Sequence, residues 1–370
     1  GQGGLRALEA LDVGRLPRGG QISLDSTAVA FSCGLALAVG VLLSLIPVAS
    51  LLRVRLGSLL REEGRSSTAG RGINALRKGL VSAQVALALV LLVGAGLLMA
   101  SFRQLLAIDP GFESTGVLTG SVRLAESRYP EDADLRAFAR EARERIRALP
   151  GVEEAGITSH IPFGFGFSDS VIFAEGYVMS PGESVISPTQ QGISPGYFEA
   201  MGMRILEGRA FDARDVESGR QVMIVDERLA ARFWPDGNAL GGRMWRPASA
   251  EDITNPETAD YFDIVGIVES IQMRGLTSQR DRAGAYYFPI EQSPRRGLTF
   301  AIKTPGDTRT LFGPVRKLIA GLDPELPLYD IRSMPERIER SLTDRRTPML
   351  LTGGFSAVAL LLAAVGIYGV

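Results

Sequence analysis

The chain has 370 residues, with 40 Lys and Arg against 41 Asp and Glu, a formal net charge of −1, one histidine and one cysteine. That near-neutral balance leaves no electrostatic footprint for nucleic acid. A single thiol excludes an internal disulfide and a thiolate metal cluster. The 22% charged residues and mean hydropathy of +0.12 resemble an ordinary globular protein, but they average two unlike populations.

Three uncharged apolar runs, Thr27–Leu52, Gly79–Phe102 and Thr347–Val370, are each longer than the roughly 20 residues a helix needs to cross about 30 Å of hydrocarbon. They predict three transmembrane helices. Gly1 follows no initiator Met or signal-peptide pattern, and Val370 ends inside an apolar run, so the chain reads as a fragment of a longer protein. Residues 1–26 are then an extracytoplasmic loop. Cys33 lies in the first run, where a lipid-facing or packed thiol is expected, and Pro47 predicts a kink near that run's far end.

Residues 53–78 carry Arg53, Arg55, Arg61, Arg65, Arg71, Arg77 and Lys78 against Glu62 and Glu63 only. Short loops rich in Lys and Arg stay on the cytoplasmic side. This linker is therefore expected in the cytoplasm, and residues 103–346 outside it, in the periplasm of a bacterium with two membranes. Small residues such as Gly94, Gly96, Gly353 and Gly354 predict close helix packing in lipid, and Gln84 one turn into the second run, like Pro47 a candidate hinge or polar contact, reads as ordinary structural accommodation. The runs contain no ionisable side chain, which argues against a proton or ion path.

The outer region opens with a strand at 117–124. A helix from about Glu131 to Leu149 follows, with Leu135, Phe138, Ala142, Ile146 and Leu149 at helical spacing, and then a strand at Val152–Ser159. A second unit of the same kind comprises Leu298–Lys303, a helix at Thr308–Leu322 and Leu326–Ile331. Two such units can share a sheet in a ferredoxin-like arrangement, so lobe one takes 117–160 plus 298–332. Between them, 161–294 reads as an inserted, mostly-β lobe, with strands at Ser170–Tyr177, Val222–Val225, Tyr261–Val268 and Ala285–Pro289. Short helices are expected after Ser194-Pro195 as cap and over Asp226–Trp234. Ser333 and Glu336 have capping-box spacing. The helix they begin either continues into the third run or breaks at Thr347-Pro348.

No G-x-x-x-x-G-K-[ST] occurs, so the chain carries no phosphate-binding loop of that kind. His160, Glu153-Glu154, and Asp212 with Asp215 lack the partners or spacing of a catalytic or metal site. They read as structural or solvated groups, and Gly237–Gly242 as a turn into a strand at Met244-Trp245. No catalytic, cofactor-binding or metal-binding residue is nominated, and no enzyme is predicted.

Several segments together carry a resemblance. They are Ile22–Asp25, Ser82–Val90, Ile108–Phe112, Ser194–Gly202 with Gly208–Phe211, Phe233–Pro235 with Leu240–Gly242, Tyr261–Val268 and Asp323–Leu328. In this order the chain resembles the permeases of MacB/FtsX-type ABC transporters, most like the acidobacterial duplicated orphan group. The resemblance implies transmembrane helices around a MacB-like periplasmic core domain at 103–346 in a bacterial inner membrane. It also implies a separate cytoplasmic ABC ATPase, a pairing of permease halves, and motion passed from ATPase to periplasmic domain without a substrate tunnel. The alternative is a regulatory scaffold that controls a periplasmic partner such as a cell-wall hydrolase without transport. A ligand-sensing ectodomain is a third reading.

Overall fold

The computed structural model describes residues 68–215, 219–247 and 260–368, and part of 30–41, where the described residues are helical. The expectations for 1–26, for Pro47 and for most of the basic linker fall outside the described residues. The chain divides into two compact units, residues 104–342 and residues 1–103 with 343–370.

The first long helix, α1 (Thr68–Leu106), starts inside the expected linker 53–78 and ends beyond Phe102. A helix satisfies its own backbone, so polar flanks do not end it; the breaker is Asp109-Pro110-Gly111, where Asp109 Oδ1 accepts the Gly111 N–H at 2.9 Å. The first unit of the outer region follows as β1 (Val117–Arg123), α2 (Asp132–Arg147) and β2 (Glu154–Thr158). A capping box between Glu131 and Asp134 starts α2, whose inner stripe is Leu135, Phe138, Ala139, Ala142 and Ile146.

Residues 161–294 contribute β3 (Ser168–Asp169), β4 (Phe173–Ala174), β5 (Thr189–Ile193), α3 (Tyr197–Met201) and β6 (Ile205–Gly208). They continue with β7 (Val222–Asp226), α4 (Glu227–Phe233), β8 (Arg243–Trp245), β9 (Tyr261–Val268) and β10 (Ala285–Pro289). The strand expected over Ser170–Tyr177 is confined to two residues, because its one ladder partner among the described residues is the short β8. Ser194 does not cap α3. The cap is Gly196, in the left-handed conformation at φ 83°, while the Ser194 hydroxyl accepts the Ile157 N–H at 2.8 Å. The Ser194 hydroxyl is engaged with Ile157 and with the Pro195 carbonyl, and glycine supplies the left-handed turn at 196.

The second unit is β11 (Gly297–Lys303), α5 (Phe312–Leu322) and β12 (Tyr329–Ser333). All strands join one sheet in the order β12-β1-β11-β2-β5-β10-β7-β9-β8-β4, with β3 on β5 and β6 on β9. The four strands β12-β1-β11-β2 pair antiparallel throughout. The seam to the rest is narrow, with Thr158 opposite Ile193 as the one β2–β5 ladder pair. Beyond it, β5–β10 and β7–β9 run parallel. Helices α2 and α5 cover one face of the four-stranded segment and bury Leu118, Val122, Ile157, Phe300, Ile302 and Ile319. Burial of each such side chain is worth about 1.5–3 kcal/mol. A second core around Met223, Leu229, Phe233, Ile264 and Tyr286 holds the inserted strands.

The chain then enters α6 (Met334–Ser341) and α7 (Thr343–Tyr368). The Ser333–Glu336 capping box is formed on both sides. The interruption expected at Thr347-Pro348 lies instead at Leu342, the C-cap of α6, and α7 runs through Pro348. So near its start, proline costs that helix one bond, the one to the Asp344 carbonyl.

Lys78–Leu106 and Pro348–Tyr368 are each long and apolar enough to cross a membrane. Between α1 and α7, Ala88, Ser356 and Ala363 are buried, and the Ser356 hydroxyl lies 2.9 Å from the Leu91 carbonyl. A Cβ on Gly366 would stand 3.1 Å from Gln84 Oε1, so the Gln84 side chain packs against the glycine surface of α7. Close approach therefore occurs at these residues. A Cβ added at Gly94, Gly96, Gly353 or Gly354 would meet nothing within 4 Å.

Candidate functional site

Strand alternation sends Leu118, Val122, Leu298, Phe300 and Ile302 toward α2 and α5, so their neighbours face the other way. On that second face the register sets Tyr329, Ser121, Thr299 and Thr158 side by side across β12, β1, β11 and β2. This is a row of four hydroxyl groups. Ser121 Oγ and Thr299 Oγ1 share a hydrogen bond of 2.8 Å. Helix α3 covers the β2 end of this face and α6 the β1 and β12 end. At the β2 end the fit demands glycine, since a Cβ on Gly156 would lie 2.3 Å from Tyr197 Cα.

At the α6 end the contact is polar. Arg337 takes the buried position one turn after Met334, where an aliphatic residue would be ordinary, and is 3% exposed. Its Nη2 donates to Thr119 Oγ1 at 2.9 Å and its Nη1 to Asp330 Oδ2 at 2.7 Å. The Asp330 carbonyl accepts a third bond at 3.2 Å. Burial lowers the Arg337 guanidinium's affinity for its proton, and Asp330 opposes that shift. Asp330 itself holds a left-handed backbone at φ 54° and also pairs with Arg332 Nε at 2.6 Å. A non-glycine residue there is strained. Its carboxylate, shared between two guanidiniums on β12 and α6, holds it in place.

Between these supports the open face forms a cleft of about 820 Å³. Its lining includes Arg123, Arg295, Arg296, Arg332 and Arg337 with Asp330 as the one carboxylate. Arg296 donates to the Tyr129 carbonyl at 2.7 Å. Arg295 stacks over Phe288, which Arg246 also approaches. Burial first, and Arg246 second, push the Arg295 guanidinium below its ordinary value. His160, read from sequence as structural, is half-buried in this lining with Nδ1 2.9 Å from Ser159 Oγ. Burial, then Arg295 and Arg274, lower its pKa and favour neutral imidazole.

One wall is the loop Phe163-Gly-Phe-Gly-Phe167. Phe163 is buried at φ 57° and packs tilted on Phe112. Phe167 lies under the Arg274 guanidinium, while Phe165 is 83% exposed at the cleft. Sequence reading did not single out this loop, or Arg123, Arg295, Asp330 and Arg337. The signals were present as three phenylalanines alternating with glycine and as an arginine on the apolar stripe of α6.

The acidic groups weighed from sequence have other partners. Asp215 is buried, not solvated as expected, and accepts two bonds from Arg209 at 2.6 and 2.8 Å. Asp212 pairs with Arg214, whose hydrogen bonds hold its carboxyl far below the usual range. Glu154 pairs with Arg147 at 3.1 Å. Gly237 and Gly241 take left-handed turns that lead into β8.

The model of the MacB-like periplasmic core domain family matches residues 79–312. The uncharacterized ABC transporter permease YvrN of Bacillus subtilis (strain 168) is 34% identical over 70 residues, which are 17% of this chain and 17% of that protein. The chain thus spans only a small part of that relative's length. The periplasmic region of MacB from Actinobacillus actinomycetemcomitans superposes with TM-score 0.40 at 14% identity, covering 63% of this chain and 95% of that one. The extracellular domain of the noncanonic ABC-type transporter YknZ from Gram-positive bacteria gives 0.37 at 14% identity, covering 58% and 100%. With the family match extending over more than half of the 370 residues, the chain belongs to the MacB-like periplasmic core domain family, that of the MacB/FtsX-type ABC transporter permeases.

Proposed function

We propose that this chain is part of a permease that couples a separate cytoplasmic ATPase to movement of its outer domain. The carrying observation is Arg337, whose buried guanidinium ties α6 to β1 and β12 directly before α7 begins. A helix meant to pass a displacement to a sheet needs a rigid attachment, and a buried, multiply bonded guanidinium is one.

In this reading α1 and α7 are membrane spans, with the run at 27–52 as another, in a bacterial inner membrane. Residues 53–78 face the cytoplasm, and 103–346 form the periplasmic core. The β12-β1-β11-β2 segment with α2 and α5 is its ferredoxin-like lobe, and 161–294 is the insertion. Two permease halves pair, and the chain resembles the duplicated orphan group. The test is a Gly-Ser insertion after Arg345 in the full-length parent, assayed with whatever P-loop ATPase copurifies from the native membrane. Transmission predicts ATP hydrolysis retained and transport or resistance lost. Full activity with the insertion defeats it, and a copurifying periplasmic enzyme without an ATPase favours the regulatory scaffold.

A further inference from the structure

We infer that the cleft on the open face of the β12-β1-β11-β2 segment is a binding site for a small ligand joining an oxyanion, carboxylate or phosphate, to an apolar body. About 820 Å³ lies in the range of small-molecule sites. Five arginines against one aspartate make the lining strongly cationic, and a cleft of one sign with apolar walls concentrates counter-ions. Asp330 is already shared by Arg332 and Arg337. Among the described residues, neither Arg123 nor Arg295 pairs with a carboxylate.

Arg295 is the sharper case. Its guanidinium is partly desolvated beside Phe288 and repelled by Arg246, a position that an incoming anion relieves. Arg123 lies opposite Gly297 at the end of the β1–β11 ladder, so the chain carries it to the stretch that holds Arg295 and Arg296. The floor adds the Ser121–Thr299 hydroxyl pair, whose mutual bond uses one proton and leaves the other to donate to an oxyanion, and Tyr329 closes the row. Phe165 on its glycine-flanked loop supplies an exposed apolar contact. A ligand that is only an anion leaves Phe165 in water, and one that is only apolar leaves two guanidiniums unpaired. The inference is independent of energy coupling.

The experiment is calorimetric titration of the full chain in neutral maltoside micelles with phenyl phosphate, inorganic phosphate and benzyl alcohol, with empty micelles subtracted. Saturable binding of phenyl phosphate, at least about tenfold tighter than either other probe, is expected. Arg123→Gln with Arg295→Gln should weaken phenyl phosphate at least about tenfold. Both side chains lie at the surface, Arg295 with its guanidinium only partly desolvated against Phe288, so the fold should be kept, as an unchanged circular dichroism spectrum would verify. Phe165→Ser should weaken phenyl phosphate and leave inorganic phosphate unchanged. Competition by dihexanoyl phosphatidylglycerol but not by the phosphatidylcholine homologue places the oxyanion on a lipid head group; no competition by either places it on a soluble molecule. Absence of saturable phenyl phosphate binding, or the same affinity in the double variant, overturns the site.

Discussion

The two faces of one four-stranded sheet segment do different work. Under α2 and α5 the face is apolar, with Leu118, Phe300 and Ile302 no more than 1% exposed. The reverse face, built from the alternate residues of the same strands, carries Thr119, Ser121, Thr299 and Arg123 and receives Arg337. A strand's two-residue period lets one sequence serve both, because each substitution is felt on one face only. The helix-covered face supplies stability through buried area. The other holds charge in a few chosen pairs and leaves a cleft.

Substitutions on either face should separate these roles. The largest loss belongs to the packed face: Phe300→Ala should cost roughly 3–5 kcal/mol, read as a fall in the thermal midpoint in detergent. A loss below about 1 kcal/mol would mean that this core does not carry the domain. Arg337→Met should cost roughly 2–3 kcal/mol by leaving half-buried Asp330 with one partner fewer. Arg337→Met with Asp330→Asn should recover part of that loss in the same melt. Equal losses in both variants would show that the pairing is immaterial.

A pH series tests the inserted half. Asp226, N-cap of α4, accepts from Leu229 N–H at 2.8 Å and from the Ser270 hydroxyl at 3.0 Å, yet burial raises it from 3.8 to about 6. A folded pKa above the unfolded one means that the native state binds the extra proton. Stability is therefore greatest on the acid side and falls as pH rises from about 4 through about 6, by about 2–3 kcal/mol in all. Asp226→Asn keeps a competent cap and should flatten this slope between pH 4 and 7. A slope unchanged in the variant would assign the pH dependence elsewhere. Ser333→Ala removes the cap of α6 and should cost about 1 kcal/mol. The smallest effect belongs to Ser121→Ala with Thr299→Val, which deletes both ends of one hydrogen bond and should change stability by no more than about 0.5 kcal/mol.

Much of the secondary structure was legible because its causes are local. The stripe from Leu135 to Ile146 needs only helical spacing, and Tyr261–Val268 and Ala285–Pro289 stand at the positions that β-prone residues indicate. The errors have explanations at single residues. Ser194 has the composition of a cap, but tertiary pairing engages its hydroxyl with β2. Pro348 has the composition of a breaker, but a helix tolerates it near the start. Strand β5 and the Phe163–Phe167 loop were passed over because their pattern is short and punctuated by glycine and proline.

By itself, the sequence determined the apolar helices that cover Lys78–Leu106 and Pro348–Tyr368, which helices are amphipathic, and that it holds no phosphate-binding loop motif. Each of these depends on residues close together along the chain. The tertiary structure alone decided that Thr119, Asp330 and Arg337 meet, that four hydroxyls align across four strands, and that Arg123 and Arg295 line one cleft. These groups lie up to about two hundred residues apart. Strand order and register bring them together, and those arise from many weak packing terms acting at once, not from any local run of residues.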